Sequence, residues 1–244
     1  MAGSDGRGET TKKVPKAAKK STGPETAAER RQVRSAGLPL EGRRARDREV
    51  IETAVRIFWE KGYAGASVQD VADAMGMLKG SLYYYIDSKE SLLFKIFEDS
   101  HNEITEMTQA ASSSGRPAVD RLATYLHDYA VWTLTNLERA GLFAREWRYA
   151  AEPVRSSLAD RVRFYDRVLR DLISEGQAQG DIPAEVDPRR ASVFIWAAFT
   201  SLPDWFRPGR AKPEVVAAEY VALALSTVGV RPHAQATVSR SSRT

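Results

Sequence analysis

No cysteine occurs in the 244 residues, and histidine occurs only three times. The first absence excludes disulfides, thiol nucleophiles and cysteine-ligated zinc, and it fits a reducing cytoplasm, the compartment expected for this chain. The second leaves imidazoles too few and too scattered for a nucleophile–His–acid triad. No HExxH helix and no glycine-rich nucleotide loop occurs either, so neither an enzyme nor a resident metal or cofactor is expected. Long apolar runs are missing as well. None approaches the roughly 18 residues of a membrane span, and the first residues lack the apolar core of a secretory signal, so no membrane partner is expected.

Charge of one sign is not in large excess, the formal net charge being +4. A hydrophobic content of 43% with 28% charged residues suits one large or two modest globular units with real cores. The distribution is uneven. Residues 1–42 cluster Lys12, Lys13, Lys16, Lys19 and Lys20 among Gly, Ser, Thr and Ala, a composition that cannot bury enough surface to offset its ordering entropy. A disordered basic tail is expected there, with a contribution to phosphate attraction left open, and residues 231–244 read as a flexible C-terminal tail.

From Arg46 onward the apolar spacing is helical. Ile51, Ala54, Val55 and Phe58 share one face, and Gly62 offers a stop. Ser67 and Asp70 form an [ST]-x-x-[DE] cap before Val68, Val71, Ala72 and Met75, and Gly76 ends that second helix. Leu78, Leu82 and Tyr85 predict a short third helix over 79–85, after which Asp87, Ser88 and Glu90 open a fourth carrying Leu92, Leu93, Ile96, Phe97, His101 and Ile104. Beyond a Ser/Gly/Pro break at 112–117, amphipathic runs are predicted at 118–138, 142–151, 154–179, 188–202 and 213–228, with no alternating strand among them. The expected fold is all-α, with about nine helices: a three-helix helix-turn-helix domain at 43–88, then a helical effector-binding and dimerisation domain at 89–230.

A capped helix, a turn at Gly76 and a second short helix make up the spacing of a helix-turn-helix, whose second helix enters the major groove of double-stranded DNA. Its outward residues suit that task. Lys79 can meet guanine acceptors or phosphate, Gly80 lets the backbone come close, and Ser81, Tyr83 and Tyr84 can donate to phosphates or bases. Ser67, Gln69 and Lys89 are candidate phosphate clamps beside it, and Arg46, Val68 and Leu78 complete the candidate DNA-contacting set. A surface pair of helices with tyrosines merely packed is the bland alternative.

The residues from Ala54 to Leu93 resemble the DNA-binding domain of the TetR family of transcriptional repressors. The resemblance is carried by Lys61-Gly62-Tyr63, Ser67-Val68-Gln69-Asp70-Val71-Ala72, Gly76, Lys79-Gly80-Ser81-Leu82-Tyr83-Tyr84-Tyr85 and Ser88-Lys89-Glu90. Ile86, Asp87 and Met77 depart from the usual pattern. The resemblance implies a homodimer that binds an inverted-repeat operator in adjacent major grooves and is released by a small hydrophobic effector. An effector-independent protein that coats DNA nonspecifically is the rival from another class, and it would bind random duplex almost as well as an operator at matched salt.

A second resemblance spans Trp132 to Val228. Leu142-Phe143-Ala144-Arg145-Glu146-Trp147-Arg148, Glu175-Gly176 and Trp205-Phe206-Arg207-Pro208-Gly209 look like the acyl-CoA-responsive branch that governs lipid and steroid catabolism. It implies a cavity for the acyl part, with the CoA portion running toward the dimer interface. The candidate effector-binding residues are Phe97, His101, Tyr125, Tyr129, Trp132, Arg145, Trp147, Arg148, Tyr165, Trp196 and Thr200. Arg163, Arg167, Arg189 and Arg190 are further cations that could meet CoA phosphates, with surface salt bridges as the bland alternative for each arginine. The predicted helix 191–202 carries no Lys or Arg and puts Trp196 at its centre, so an uncharged lipid, steroid or aromatic effector competes with an acyl-CoA. For dimerisation, Val193, Ala197, Val216, Tyr220 and Leu223 place small and apolar groups at helical spacing.

Overall fold

The structure is a computed structural model that describes residues 40–113 and 115–230. The two tails expected at 1–42 and 231–244 lie outside the described residues, apart from 40–42. Among the described residues the chain forms ten α-helices and one 3-10 turn, and the one extended pairing is an isolated bridge between Pro208 and Ala211. We number the helices α1 (Leu40–Lys61), α2 (Val68–Ala74), α3 (Lys79–Leu82), α4 (Lys89–Ser113), α5 (Ala118–Thr135), α6 (Leu137–Glu146), α7 (Val154–Gln179), α8 (Pro188–Thr200), α9 (Leu202–Trp205) and α10 (Pro213–Thr227).

Two boundaries depart from the sequence pattern for local reasons. The run predicted at 118–138 stops at Thr135, and the helix predicted from 142 begins at Leu137. Asn136 makes the corner: its backbone N–H and its side-chain amide both donate to the Trp132 carbonyl, at 2.9 and 3.0 Å. A single asparagine closes the helix where no glycine or proline marks it. Pro203 follows the end of α8 and sits in the first turn of the short α9.

Three apolar groups hold the helices. The first gathers Ile51, Ala54 and Phe58 from α1, Val71 and Ala72 from α2, Leu82 from α3, and Leu92, Ile96 and Phe97 from α4. It also takes in Leu142 of α6 and Leu158 of α7, so it runs past residue 88 into the helices of the C-terminal part. The second joins Leu122, Tyr125 and Leu126 of α5 to Leu169, Leu172 and Ile173 of α7, Ile195 and Phe199 of α8, and Ala217 and Val221 of α10. The third is small, Ile104, Trp132 and Tyr165, and has Tyr129, Phe164 and Trp196 packed around it. Buried Arg121 anchors the 112–117 break: it donates to the carbonyls of Arg116 and Ala111 and pairs with Glu175 on α7.

α1 meets α6 at Trp59. The ring lies so close to Gly141 that a Cβ there would stand 2.7 Å from its Cη2 atom. The Arg145 guanidinium lies over the same ring, 4.2 Å from its centroid, with Nη2 3.6 Å from the Asp204 carboxylate. Gly141→Ala is expected to displace the indole and to lower stability in urea unfolding by about 1–3 kcal/mol. In a Trp59→Ala background the same change is expected to reverse sign, because removing a mid-helix glycine then contributes about 1 kcal/mol of helix propensity. Equal effects in both backgrounds would show that the ring does not require the glycine.

Candidate DNA-contacting face and candidate effector interior

α2 is fixed at both ends. Ser67 and Asp70 form the expected capping box: the Ser67 N–H and hydroxyl donate to the Asp70 carboxylate at 2.7 and 2.6 Å, and the Asp70 N–H donates back at 3.2 Å. Lys61 also binds this carboxylate, and its hydrogen bond, with those from Ser67, holds Asp70 well below the usual carboxylate range. At the other end Gly76 adopts φ 62°. This left-handed residue lets Gly76 N–H reach the Asp73 carbonyl and Met77 N–H the Ala72 carbonyl, the Schellman pattern that glycine favours.

The chain then turns into α3. The regular helix ends at Leu82 rather than Tyr85, and its last turn tightens, with Tyr84 and Tyr85 N–H donating to the carbonyls three residues back. Leu82 is fully buried under α1, α2 and α4, and the opposite face looks outward. Leu78 is 80% exposed, Tyr83 is 44% exposed, and Lys79 and Gly80 are exposed between them. A Cβ at Gly80 would meet nothing within 4 Å, so the fold itself places no demand for glycine there. Ser81 and Tyr84 are half-buried at the rim.

Other predicted contacts are modified by their surroundings. Val68 is 8% exposed and packed in the first core, so what it can offer DNA is its backbone N–H. The Ser67 hydroxyl is engaged in its own cap. Gln69 is exposed and donates to Asp73 at 2.6 Å, and Arg46 pairs with Glu49. α4 is opened by Ser88, one of the two candidate caps, with Ser91 as its partner, each hydroxyl accepting from the other's N–H. Lys89, at the start of α4, lies 4.2 Å over the ring of Tyr63, whose hydroxyl is pushed up to about 12, chiefly by burial. Tyr63 was not among the predicted contact residues; the aromatic following Lys61-Gly62 was its one signal.

The predicted effector residues divide into three places. His101, Tyr125, Tyr129, Trp132, Tyr165 and Trp196 do converge between α4, α5, α7 and α8, around the third apolar group. The Tyr165 hydroxyl lies 2.9 Å from His101 Nδ1 and 3.0 Å from Thr105 Oγ1. Trp132 Nε1–H donates to Glu103 at 2.7 Å, the Tyr125 hydroxyl accepts from Thr108 at 3.1 Å, and Trp196 stands edge-on to Tyr129. Burial pushes the Tyr129 hydroxyl up to about 12 and the His101 imidazole down to about 4, with half-exposed Arg161 adding to the latter. His101 is therefore neutral near pH 7.

Phe97 and Trp147 belong instead to the first core, where Phe143 links them to His101. Its ring is edge-on to Phe97 and His101 and stacked on Trp147. Arg145, Arg148 and Thr200 do not reach the interior and are corrected. Arg145 covers Trp59, Arg148 covers Trp147, and exposed Thr200 donates back to the Trp196 carbonyl of its own helix. Arg163 and Arg190 are exposed and paired within their own helices, with Asp160 and Asp187. Arg161, which the sequence reading missed, is the cation beside Tyr165 and His101; it donates to Asn102 at 3.0 Å. A separate cavity of about 530 Å³, floored by Val55, Leu134 and Phe206, lies between α1 and the α9–α10 loop and shares no lining residue with this interior.

The last long helices carry an apolar outer face. Val193, Phe194, Val215 and Leu223 are half or more exposed, Ala197 is exposed, and Tyr220 is half-buried against Trp205 and Phe199. Val216 is only 5% exposed and packs into the chain's own second core. One step in helical phase puts Val215 outside and Val216 inside, which corrects the predicted interface.

Two family models match this chain: bacterial regulatory proteins of the tetR family over residues 50–96, and the tetracyclin repressor-like C-terminal domain over 115–228. The chain belongs to the TetR family of transcriptional regulators. It is 28% identical to the HTH-type transcriptional repressor KstR2 of Rhodococcus jostii, over 79% of this chain and 95% of that one. A bacterial regulatory protein of the tetR family from Rhodococcus RHA1 superposes with a TM-score of 0.70 at 28% identity, covering 76% of this chain and 98% of that chain. AibR, solved with isovaleryl coenzyme A and operator DNA, superposes with a TM-score of 0.66 at 27% identity, covering 73% and 97%. The TetR-family chain is thus a DNA-binding regulator and not an enzyme, and no helix among the described residues is long and apolar enough to cross a membrane.

His101 gives the interior a pH signature. Its folded value is lowered, so between about pH 6.5 and 4 the unfolded chain binds a proton that the native state refuses. Its contribution is fully present above pH 6.5, is lost as pH falls toward 4, and then levels off; the full swing is roughly 3 kcal/mol. Urea unfolding of wild type and His101→Leu across that window is expected to show a shallower slope in the variant, and parallel curves would refute the assignment.

Proposed function

We propose that this chain is a repressor that binds a palindromic operator as a homodimer and leaves it when a hydrophobic effector enters the interior between α4, α5, α7 and α8. The DNA-binding part is placed at residues 43–88 and the effector-binding and dimerisation part at 89–230, with the cytoplasm as its compartment. The observation that carries the DNA reading is the outward face of α3. Lys79 and Tyr83 flank a glycine that nothing in the fold requires, on a helix held from behind by buried Leu82 and braced by capped α2. Lys79 would meet base acceptors or phosphate, Ser81, Tyr83 and Tyr84 would take backbone or base contacts, and Gln69 and Lys89 would set register on phosphates. The exposed strip of Val193, Ala197, Val215 and Leu223 supports the pairing of α8 and α10 with their copies.

For the effector we favour an acyl-CoA or a lipid or steroid catabolic intermediate, which the KstR2 and AibR likenesses support. An uncharged aromatic or lipid effector is the second reading. The observation in its favour is that the aromatic group of the interior is buried, while its neighbouring cation, Arg161, is half-exposed and donates to Asn102.

Lys79→Ala is expected to lose operator binding without loss of folding. Gly80→Ala should do the same while melting at or above the wild-type temperature, since alanine contributes about 1 kcal/mol over glycine in an exposed helix. Footprinting at matched salt should give a short protected site with dyad symmetry. Wild-type operator affinity in both variants, or equal affinity for random duplex, would overturn the reading. Leu223→Glu, on the exposed strip, is expected to give monomers by sedimentation.

A further inference from the structure

Three buried side-chain polar atoms have no hydrogen-bond partner among the described residues, and two are ring nitrogens bordering the aromatic interior: His101 Nε2 and Trp196 Nε1. Buried polar groups are almost always paired in native proteins, because leaving one unpaired forfeits its hydration without return. Both rings are otherwise well held. His101 is 2% exposed, stacks on Tyr165 with its Nδ1 on that hydroxyl, and meets Phe143 edge-on. Trp196 is edge-on to Tyr129 and Tyr125 and packs on the Ile104–Trp132–Tyr165 group. Neither ring is loose for want of packing, and each leaves one directional polar atom unanswered.

The chemistry of the two atoms narrows what would answer them. An indole N–H only donates, so Trp196 calls for an acceptor. A neutral imidazole offers one nitrogen as donor and the other as acceptor; with Nδ1 engaged by Tyr165, Nε2 pairs with a hydroxyl in either tautomer and with a carbonyl when it carries the proton. An ionised group would find its cation at the edge of this interior rather than between the rings: Arg161, beside Tyr165 and His101, is half-exposed and donates to Asn102. Burying an unpaired carboxylate among aromatic rings is far less favourable than burying a ketone or alcohol.

We propose that His101 Nε2 and Trp196 Nε1 are specificity-determining groups that recognise uncharged oxygen functions, ketone or hydroxyl, on the buried part of the effector. Any anionic portion then stays outside, on the Arg161 side. The inference rests on the reading of this interior as the effector site. It separates the buried end of the ligand, which is neutral and oxygenated, from any phosphate-bearing end.

The test is calorimetric titration of the full chain with two matched sets: androstane, androstane-3,17-dione, androstane-3,17-diol and androstane-17-carboxylate; and dodecane, dodecane-1,12-diol and dodecanedioate. The neutral oxygenated member of at least one skeleton is expected to bind more tightly than both its hydrocarbon and its carboxylate. Trp196→Phe and His101→Leu, each checked for a wild-type-like melt, should each weaken that member about tenfold and leave the parent hydrocarbon unchanged. Preference for a carboxylate, or an affinity for the diketone or diol that neither variant alters, overturns the inference while the site reading stands. Binding by no member of either set overturns the site reading, and the inference with it. Trp196→Phe retains the edge-on packing, so a folding failure of His101→Leu leaves the question decided by the other variant.

Discussion

The seat of Trp59 on Gly141 is the contact on which the geometry of the whole molecule depends. α1 brings six of the eighteen buried residues of the first core, and it meets α6 at a position where that helix has no side chain. The indole fills that gap, Arg145 covers its outer face, and Asp204 from α9 holds Arg145. One aromatic ring thus joins α1 to α6 and, through Arg145 and Asp204, to α9. An ion pair this exposed contributes little by itself; its use is to fix a cation over the ring, where the interaction is worth more.

The first core shows why these two parts cannot move independently. Leu142 and Leu158 come from α6 and α7, yet they are buried with Phe58, Leu92 and Phe97. α4 is shared in the same way: Phe97 faces the first core, and one turn later His101 faces the aromatic interior. Phe143 bridges the two by meeting both rings edge-on. Close-packed interiors respond to added volume by shifting helices as units rather than by local compression, so displacement of Phe143 is felt at α4 and at α3 together.

Much of this was legible before any coordinates. The cap at Ser67, the stop at Gly76 and the stripe of Leu82 and its neighbours follow from short-range rules, and they place α2 and α3 to within a few residues. His101, Tyr129, Trp132, Tyr165 and Trp196 were candidates through the family resemblance; aromatic spacing alone does not separate a pocket lining from core packing, and the fold is what brings them together. What failed was phase and partnership. Val216 and Val215 are adjacent in sequence and both apolar, and the register of α10 against α5, a long-range packing result, decides which one faces out. Arg145 and Arg148 looked like ligand cations because their charge was visible and their aromatic partners were not; the fold sets Trp59 and Trp147 beneath them. Arg161 passed unnoticed as one of several arginines on α7, distinguished only by the residues opposite it.

The same partnership logic bears on how a neutral interior can govern a charged interface. DNA affinity comes largely from phosphate contacts and is steep in their number and placement, so α3 need not unfold to release an operator. In a dimer it is enough that its two copies change separation relative to successive major grooves, which repeat at about 34 Å. A ligand that pairs with His101 and Trp196 stabilises an arrangement of α4 and α8 in which those nitrogens point at it. In the present arrangement they have no hydrogen-bond partner among the described residues, while α4 is held by Phe97 in the first core. On the proposal above, only a ligand with differential affinity for one packing of these helices would shift them. Such a shift would act on α4 and α8, away from the Trp59 joint, and would reach α3 through Phe143 and the shared core.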